Sequence, residues 1–185
     1  MKKIANITFR KYPCFVPMVN SHYEDFRKDI ILDFPDVSIP TEVEMGLQDD
    51  VMWRVNLRPF VTIVTYNDGS SVEHHFNRGF ITDYGSVPSA FQSLIRSDDP
   101  RGVVGFWNHD LDYQTKAFGY NSKGFKKANK LLLDTCLYYK LPHVKALLVK
   151  QAVDSFVGKA IYKKKLERDV APDGFVIERK ADNVD

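Results

Sequence analysis

The sequence has little of what defines several large classes of protein. Its 185 residues include only two cysteines, Cys14 and Cys136, which lie far apart along the chain. Two cysteines are too few for a disulfide framework or a cysteine-based zinc site, and we expect both thiols to be reduced. The formal net charge is only +2. The overall charge therefore gives no strong indication of a nucleic-acid partner.

Long apolar runs and common catalytic motifs are also missing. No stretch approaches the length of a membrane span. Lys2 and Lys3 resemble the start of a signal peptide, but the apolar run that should follow them is absent. The sequence contains no phosphate-binding glycine loop, nucleophile elbow or cysteine-metal cluster. We therefore expect a protein that is made in the cytoplasm and stays there.

What the chain does contain is enough apolar material for a core, at 44% hydrophobic and 13% aromatic residues. The length favours one domain, which we predict over residues 1–170, followed by a polar tail at 171–185. Residues that favour strands dominate the first half and helical patterns the second. The predicted fold class is α+β, with a small antiparallel β-sheet from the N-terminal half packed on about three C-terminal helices.

Turn and periodicity signals place the individual elements. Ile4, Ile7 and Phe9 indicate a first strand, and the run Asn67-Asp68-Gly69-Ser70 predicts the turn of a hairpin over residues 59–77. Short strands are predicted at 30–32 and 37–39, and Phe175-Val176-Ile177 in the tail could pair with another segment. The predicted helices cover 88–96, 102–116, 123–140 with Ser122 as its N-cap, and 143–166.

Residues 79–113 carry the most informative pattern. Small, polar and acidic residues form a loop-like stretch, and a His-Asp pair follows on an apolar helix. His109 and Tyr113 are four positions apart and share a helix face, whereas Asp110 is turned about 100° away. If the two central helices pair antiparallel about the loop near residue 119, the residue that faces His109 is near Asn129, Lys130 or Leu133.

This arrangement can support chemistry. A neutral imidazole with a polar partner on a facing helix can act as a general base. Asp83 could orient His109 or hold a divalent cation, and Ser86 could supply a hydroxyl. A purely structural interpretation exists for each residue: Asp83 caps a turn, Ser86 begins a helix, and His109 is a buried histidine satisfied by a backbone carbonyl.

Two blocks of residues form a recognisable pattern here: Gly79, Phe80, Thr82, Asp83, Gly85, Ser86 and Pro88, then His109, Asp110 and Tyr113. These blocks resemble a domain of unknown function that is found mainly in bacteriophages and prophages. In a third block Ala128 matches, but Asn129 stands where that family usually has Asp, and Leu132 where it has an aromatic residue. The resemblance covers about residues 50–160. It implies a phage origin, and hence the host cytoplasm as the location, but no established activity.

The helix pair alone is similar, more distantly, to phospholipases of the A-two type. In those enzymes a first-helix His activates water, the adjacent Asp binds calcium, and a second-helix Asp orients the His. The similarity implies that His109 is the base, that Asp110 is a calcium ligand and that Asn129 holds the orienting position. The chain departs in two ways: it has no glycine-rich calcium loop upstream, and an amide stabilises an imidazolium less well than a carboxylate does.

The predicted helix at 143–166 is rich in lysine, and Asp154 is the one acid within it. A basic amphipathic helix can make weak contact with an anionic membrane surface. A core helix with a solvated lysine face gives the same pattern. His74 and His75 are adjacent on a strand and point to opposite faces, which makes them a poor bidentate metal site.

Two functional hypotheses follow. In the first, the chain is a phage-encoded accessory protein with a hydrolase-like site, which could use a divalent cation such as calcium. In the second, it is a non-enzymatic phage protein that binds a host or virion partner in a structural, host-takeover or anti-defence role. Asn129 favours the second hypothesis, and the joint presence of Asp83, His109 and Asp110 favours the first. The candidate catalytic residues are His109, Asp83, Ser86, Tyr113 and Asn129, and the candidate metal ligands are Asp83 and Asp110.

Overall fold

Two four-stranded antiparallel sheets and four helices make up the part of the chain described by a computed structural model. The predicted α+β class, with its N-terminal antiparallel sheet and C-terminal helices, is confirmed. The predicted strand at 37–39 and the predicted helix at 88–96 lie outside the described residues. The structure describes residues 2–11, 29–33, 40–48, 51–56, 59–77, 79–82, 100–163 and 174–181.

The first sheet has the strand order β1-β5-β6-β8 and the second has the order β2-β3-β4-β7. The predicted strands near residues 4–9 and 30–32 are present as β1 and β2. The first sheet consists of β1 (Ile4–Lys11), β5 (Phe60–Tyr66), β6 (Ser71–Phe76) and β8 (Gly174–Arg179). The second consists of β2 (Asp29–Asp33), β3 (Pro40–Gln48), β4 (Val51–Asn56) and β7 (Ile81–Thr82).

The predicted hairpin at 59–77 is formed by β5 and β6. Its turn needs a residue with positive φ, and Gly69 supplies it at +79°. Asp68 fixes the turn because its carboxylate accepts hydrogen bonds from the backbone N–H and the hydroxyl of Ser70, at 3.0 and 2.6 Å.

The strand β8 confirms that Phe175-Val176-Ile177 pairs with another segment, and it corrects the prediction that 171–185 is only a polar tail. It pairs with β6 along its whole length, so that Val176 lies opposite His74. The Phe175 ring stacks on His75 at 4.3 Å, and Arg179 donates a hydrogen bond to Glu73 at 2.7 Å. The apolar triplet in this segment gains more by covering the open edge of β6 than by staying in solvent.

In the described part of the chain, four helices lie between β7 and β8: α1 (Pro100–Thr115), α2 (Ser122–Tyr138), α3 (His143–Asp154) and α4 (Phe156–Lys163). The first two pair antiparallel, because Gly105 near the start of α1 lies against Leu132 and Cys136 towards the end of α2. The N-cap of α2 is Asn121 and not Ser122 as predicted. The Asn121 side chain is the one that accepts hydrogen bonds from the backbone N–H groups of Lys123 and Gly124.

The single helix predicted at 143–166 is wrong, since α3 and α4 are separated at Ser155. The backbone of Ser155 is extended there, with ψ of 166°. Its hydroxyl accepts a hydrogen bond from the N–H of Gly158 at 3.2 Å, and its carbonyl accepts one from Lys159 at 3.0 Å. Ser155 therefore ends one helix and caps the next, which apolar periodicity does not reveal.

The core lies between the first sheet and α1. Phe60 stacks on Phe76 at 4.6 Å between ring centroids, and Trp107 of α1 contacts Phe60 at 5.0 Å. A second cluster, which includes Phe106, Leu132 and Val149, joins α1, α2 and α3. In the described part of the chain, no helix has both the length and the apolar character needed to cross a membrane.

The strand β8 should be sensitive to a single added methyl group at Gly174. A Cβ there would lie 2.4 Å from the His75 carbonyl oxygen and 2.9 Å from Leu111. We expect Gly174→Ala to lower the free energy of unfolding by about 1–3 kcal/mol, measured by urea denaturation. Lys180→Ala, an exposed change just beyond the strand, is the control and should have little effect. Equal stability of both variants and wild type would contradict the placement of β8.

Candidate functional site

The segment 108–114 of α1 is polar at six of its seven positions, although α1 is a largely buried helix. Residues four apart lie on the same helix face. The six side chains therefore form three pairs, each facing a different neighbour: the first sheet, the strand β7 and the helix α2. The pairs are Asn108 with Asp112, Asp110 with Gln114, and His109 with Tyr113.

The pair that faces the first sheet is completely buried. Asn108 accepts a hydrogen bond from the Thr62 hydroxyl at 2.7 Å, and Asp112 contacts His74 Nε2 at 3.1 Å. Thr62 and His74 are themselves opposite one another on β5 and β6. Burial raises the pKa of the Asp112 carboxyl, and contact with His74 opposes that shift. This His-Asp pair is sealed inside the sheet-helix interface, so we assign it a structural role.

The pair that faces β7 connects α1 to the first sequence block. Asp110 accepts a hydrogen bond from the Thr82 hydroxyl, and the Gln114 amide donates to the Ile81 carbonyl at 3.0 Å. The end of the segment Gly79–Thr82 thus lies against the helix that carries His109. Asp83 and Ser86 fall outside the described residues, so their predicted approach to His109 stays a prediction.

The pair that faces α2 meets Asn129. His109 Nε2 lies 2.9 Å from Asn129 Oδ1, and the Tyr113 hydroxyl donates to the same oxygen at 2.8 Å. The structure therefore brings together three of the candidate site residues, in the arrangement that antiparallel pairing about residue 119 predicts. The Tyr113 ring also packs on the imidazole at 4.0 Å between centroids.

Asp154 extends this contact to a third helix. Asn129 Nδ2 donates to Asp154 Oδ1 at 2.7 Å, and Lys150 pairs with the other carboxylate oxygen. Asp154 is not among the site residues predicted from the sequence. One feature of the sequence does point to Asp154, which is the only acid in a lysine-rich segment. Such an acid is expected to pair with a nearby lysine or with a residue elsewhere in the fold. Asp154 does both, with Lys150 and with Asn129.

These contacts determine the orientation of the Asn129 amide. A carboxylate only accepts hydrogen bonds, so the NH₂ group of Asn129 must face Asp154 and its oxygen must face His109 and Tyr113. His109 Nε2 then carries the proton and donates it to the amide oxygen. When the imidazole is neutral, its basic lone pair then lies on Nδ1, and a neutral imidazole is the form that a general base requires.

Aromatic side chains surround the contact and contribute to its burial. Tyr162 of α4 meets Tyr113 edge to face at 4.8 Å, and its hydroxyl donates to the Gly119 carbonyl at 2.6 Å. Phe125 packs against both tyrosines. Burial raises the pKa of Tyr113 well above its usual value, so its hydroxyl stays protonated and continues to donate to Asn129.

A calcium site of the phospholipase kind is not assembled by the described residues. They contain no group of three or more His, Cys, Asp or Glu side chains able to hold a metal ion. Of the two predicted ligands, Asp110 accepts a hydrogen bond from Thr82, and Asp83 is outside the described ranges. We therefore derive no chemical step through a metal.

Comparison of this chain with family models, with curated proteins and with solved structures finds no match. The resemblances noted from the sequence motifs thus remain predictions, and the functional argument depends on the geometry of the site.

The raised pKa of Tyr113 predicts a specific loss of stability at alkaline pH. A tyrosine whose pKa is higher in the folded state contributes stability that is complete below its unfolded value, about 10, and is lost as the pH rises above it. We expect wild type to lose up to about 1.4 kcal/mol per pH unit more than Tyr113→Phe between pH 10 and 11. Urea denaturation at several pH values measures this difference.

The matched control for that experiment is Tyr120→Phe, which changes a tyrosine in the loop between α1 and α2 that is 61% exposed. It should keep the steep alkaline loss of wild type. A Tyr113→Phe variant with the same pH dependence as wild type would show that Tyr113 is not buried against Asn129 as described.

Proposed function

We propose that the chain is a phage-encoded accessory protein that hydrolyses an ester-type bond, with His109 as the general base. The observation that carries the proposal is the 2.9 Å contact between His109 Nε2 and Asn129 Oδ1 across the two central helices. This contact fixes the tautomer that leaves Nδ1 basic. The resemblance of the two sequence blocks to a phage domain supports the phage origin and, with it, the host cytoplasm as the location.

The proposed reaction begins with a water molecule at His109 Nδ1. The imidazole takes a proton from this water as the oxygen attacks the ester carbonyl carbon, which forms a tetrahedral intermediate and an imidazolium. The imidazolium then returns the proton to the leaving alkoxide as the carbon–oxygen bond breaks. The products are a carboxylic acid and an alcohol, and His109 is neutral again.

The other candidate residues have supporting parts in this proposal. Asn129 orients His109 and accepts its Nε2 proton in a hydrogen bond, and Tyr113 donates a hydrogen bond to the same Asn129 oxygen. Ser86 is proposed as a hydroxyl near the substrate. Asp83 and Asp110 are proposed as ligands if a divalent cation such as calcium takes part.

A non-enzymatic phage protein is the second candidate, and two observations favour it. His109 is only 5% exposed, which restricts the approach of a substrate. On α3, Val144 and Leu147 are 69% and 42% exposed and lie beside Leu148 in a shallow apolar groove. Exposed apolar side chains that lie together are typical of a surface that binds another protein. A host or virion protein is the proposed partner in this case.

The test is hydrolysis of p-nitrophenyl butyrate and of phospholipid vesicles, each with and without calcium. Wild type should turn over at least one of these, and His109→Gln should lower the rate by about 100-fold or more, the usual contribution of a general base. His143→Gln is the matched control, because His143 is an exposed histidine at the start of α3, and it should keep the wild-type rate.

The absence of hydrolysis would reject the hydrolase proposal. If wild type hydrolyses neither compound under either condition, and calcium does not shift its melting temperature, the hydrolase proposal fails. A structural role for His109 would then appear as a loss of about 1–3 kcal/mol of unfolding free energy in His109→Gln, because Asn129 and Tyr113 would lose a buried partner.

A further inference from the structure

We propose that Asp154 is a positioning residue for His109 and that it acts through the amide of Asn129. An effect of Asp154 on a reaction rate rests on the function proposed above, whereas its effect on the tautomer of the His109 imidazole does not. The contact chain crosses three helices, from His109 on α1 to Asn129 on α2 and Asp154 at the end of α3.

A carboxylate is needed because the Asn129 amide could otherwise turn either its oxygen or its nitrogen towards His109. An imidazole nitrogen and a tyrosine hydroxyl can each donate or accept a hydrogen bond. His109 and Tyr113 alone would therefore tolerate either end of the Asn129 amide. Asp154 removes this ambiguity because its carboxylate accepts only, and so it selects the orientation in which Asn129 presents oxygen to His109.

The same contact supplies negative charge to the site. A hydrogen bond from Asn129 to a carboxylate polarises the amide and makes its oxygen a stronger acceptor. An imidazolium at His109 is then stabilised by Asp154 through one intervening side chain. Asn129 and Asp154 together can thus do what a single carboxylate would do at position 129, and this accounts for the presence of an amide there.

Lys150 keeps Asp154 in place for this role. It lies one turn earlier on α3 and pairs with the carboxylate oxygen that Asn129 does not use. The two oxygens of Asp154 therefore have separate partners. The side chains of Lys150 and Asp154 are about one-third exposed, at 35% and 31%, so this end of the contact chain meets solvent while His109 does not.

The arrangement makes Asn129→Asp alone unfavourable. It would put two carboxylates where the Asn129 nitrogen and the Asp154 oxygen are now 2.7 Å apart, and like charges at that distance repel. The double variant Asn129→Asp with Asp154→Asn exchanges the two groups. The new carboxylate can accept from His109 and Tyr113, and the new amide can donate to it.

The experiment measures the His109 tautomer by ring ¹⁵N NMR in the full chain. Wild type should show Nε2–H alone. Asp154→Asn should show both tautomers, because two facing amides can pair in either direction. The matched control is Asp134→Asn, which removes the carboxylate from the same kind of Lys-Asp pair, Lys130 with Asp134 on α2, and it should keep Nε2–H.

Rescue by the exchanged pair is the second arm. The double variant should return to Nε2–H alone and melt close to wild type, whereas Asn129→Asp should melt lower by roughly 5 °C or more. The inference is overturned if Asp154→Asn keeps the wild-type tautomer, since Tyr113 would then suffice. It is also overturned if the double variant melts no higher than Asn129→Asp.

These readouts separate this inference from the proposed hydrolysis, because neither of them needs turnover. A tautomer that shifts in Asp154→Asn, in a protein without hydrolytic activity, supports the positioning role and rejects the enzyme. If the protein hydrolyses a substrate but the His109 tautomer is unchanged in Asp154→Asn, the enzyme is supported and the positioning role of Asp154 is rejected.

Discussion

A buried group that can form hydrogen bonds needs partners inside the protein. The buried polar side chains of α1 take their partners from three neighbours, which are the first sheet, β7 and α2. Asn108, His109, Asp112 and Gln114 are all buried. Leaving one such group without a partner costs about 1–3 kcal/mol. The first sheet, β7 and α2 therefore lie where each of these α1 side chains has a hydrogen-bond partner, although Asn108 Nδ2 and Asp112 Oδ2 are buried without one among the described residues.

The need for buried hydrogen-bond partners also explains why two histidines have different environments: His74, which α1 contacts, and His109, which lies on α1. His74 meets Asp112 directly, and both side chains are fully enclosed between sheet and helix. His109 contacts Asn129, whose amide donates a hydrogen bond to the Asp154 carboxylate, and that carboxylate is 31% exposed. A directly paired and enclosed histidine is suited to holding the sheet on the helix. A histidine that donates through Nε2 to an amide oxygen presents a basic Nδ1 whenever its ring is neutral, which is what the proposed chemistry needs.

Local patterns were sufficient to predict part of this structure. The hairpin follows from its turn residues, and the meeting of His109 with Asn129 follows from helical spacing and a short loop. Features that depend on distant contacts were missed. Asp112 and His74 are 38 positions apart and Asn129 and Asp154 are 25 apart, and no local periodicity joins them. The break at Ser155 was missed because the apolar pattern continues across a residue whose capping role depends on its backbone angles.

Native-state amide hydrogen exchange measures whether the polar pairings of α1 hold the fold together. If they do, the amides of residues 109–114 exchange only when the whole protein unfolds, so that their exchange free energies equal the global free energy of unfolding. The short helix α4 should open at lower free energy and serves as the internal comparison. Exchange of the 109–114 amides by local opening, several kcal/mol below global unfolding, would show that these pairings do not hold the fold together.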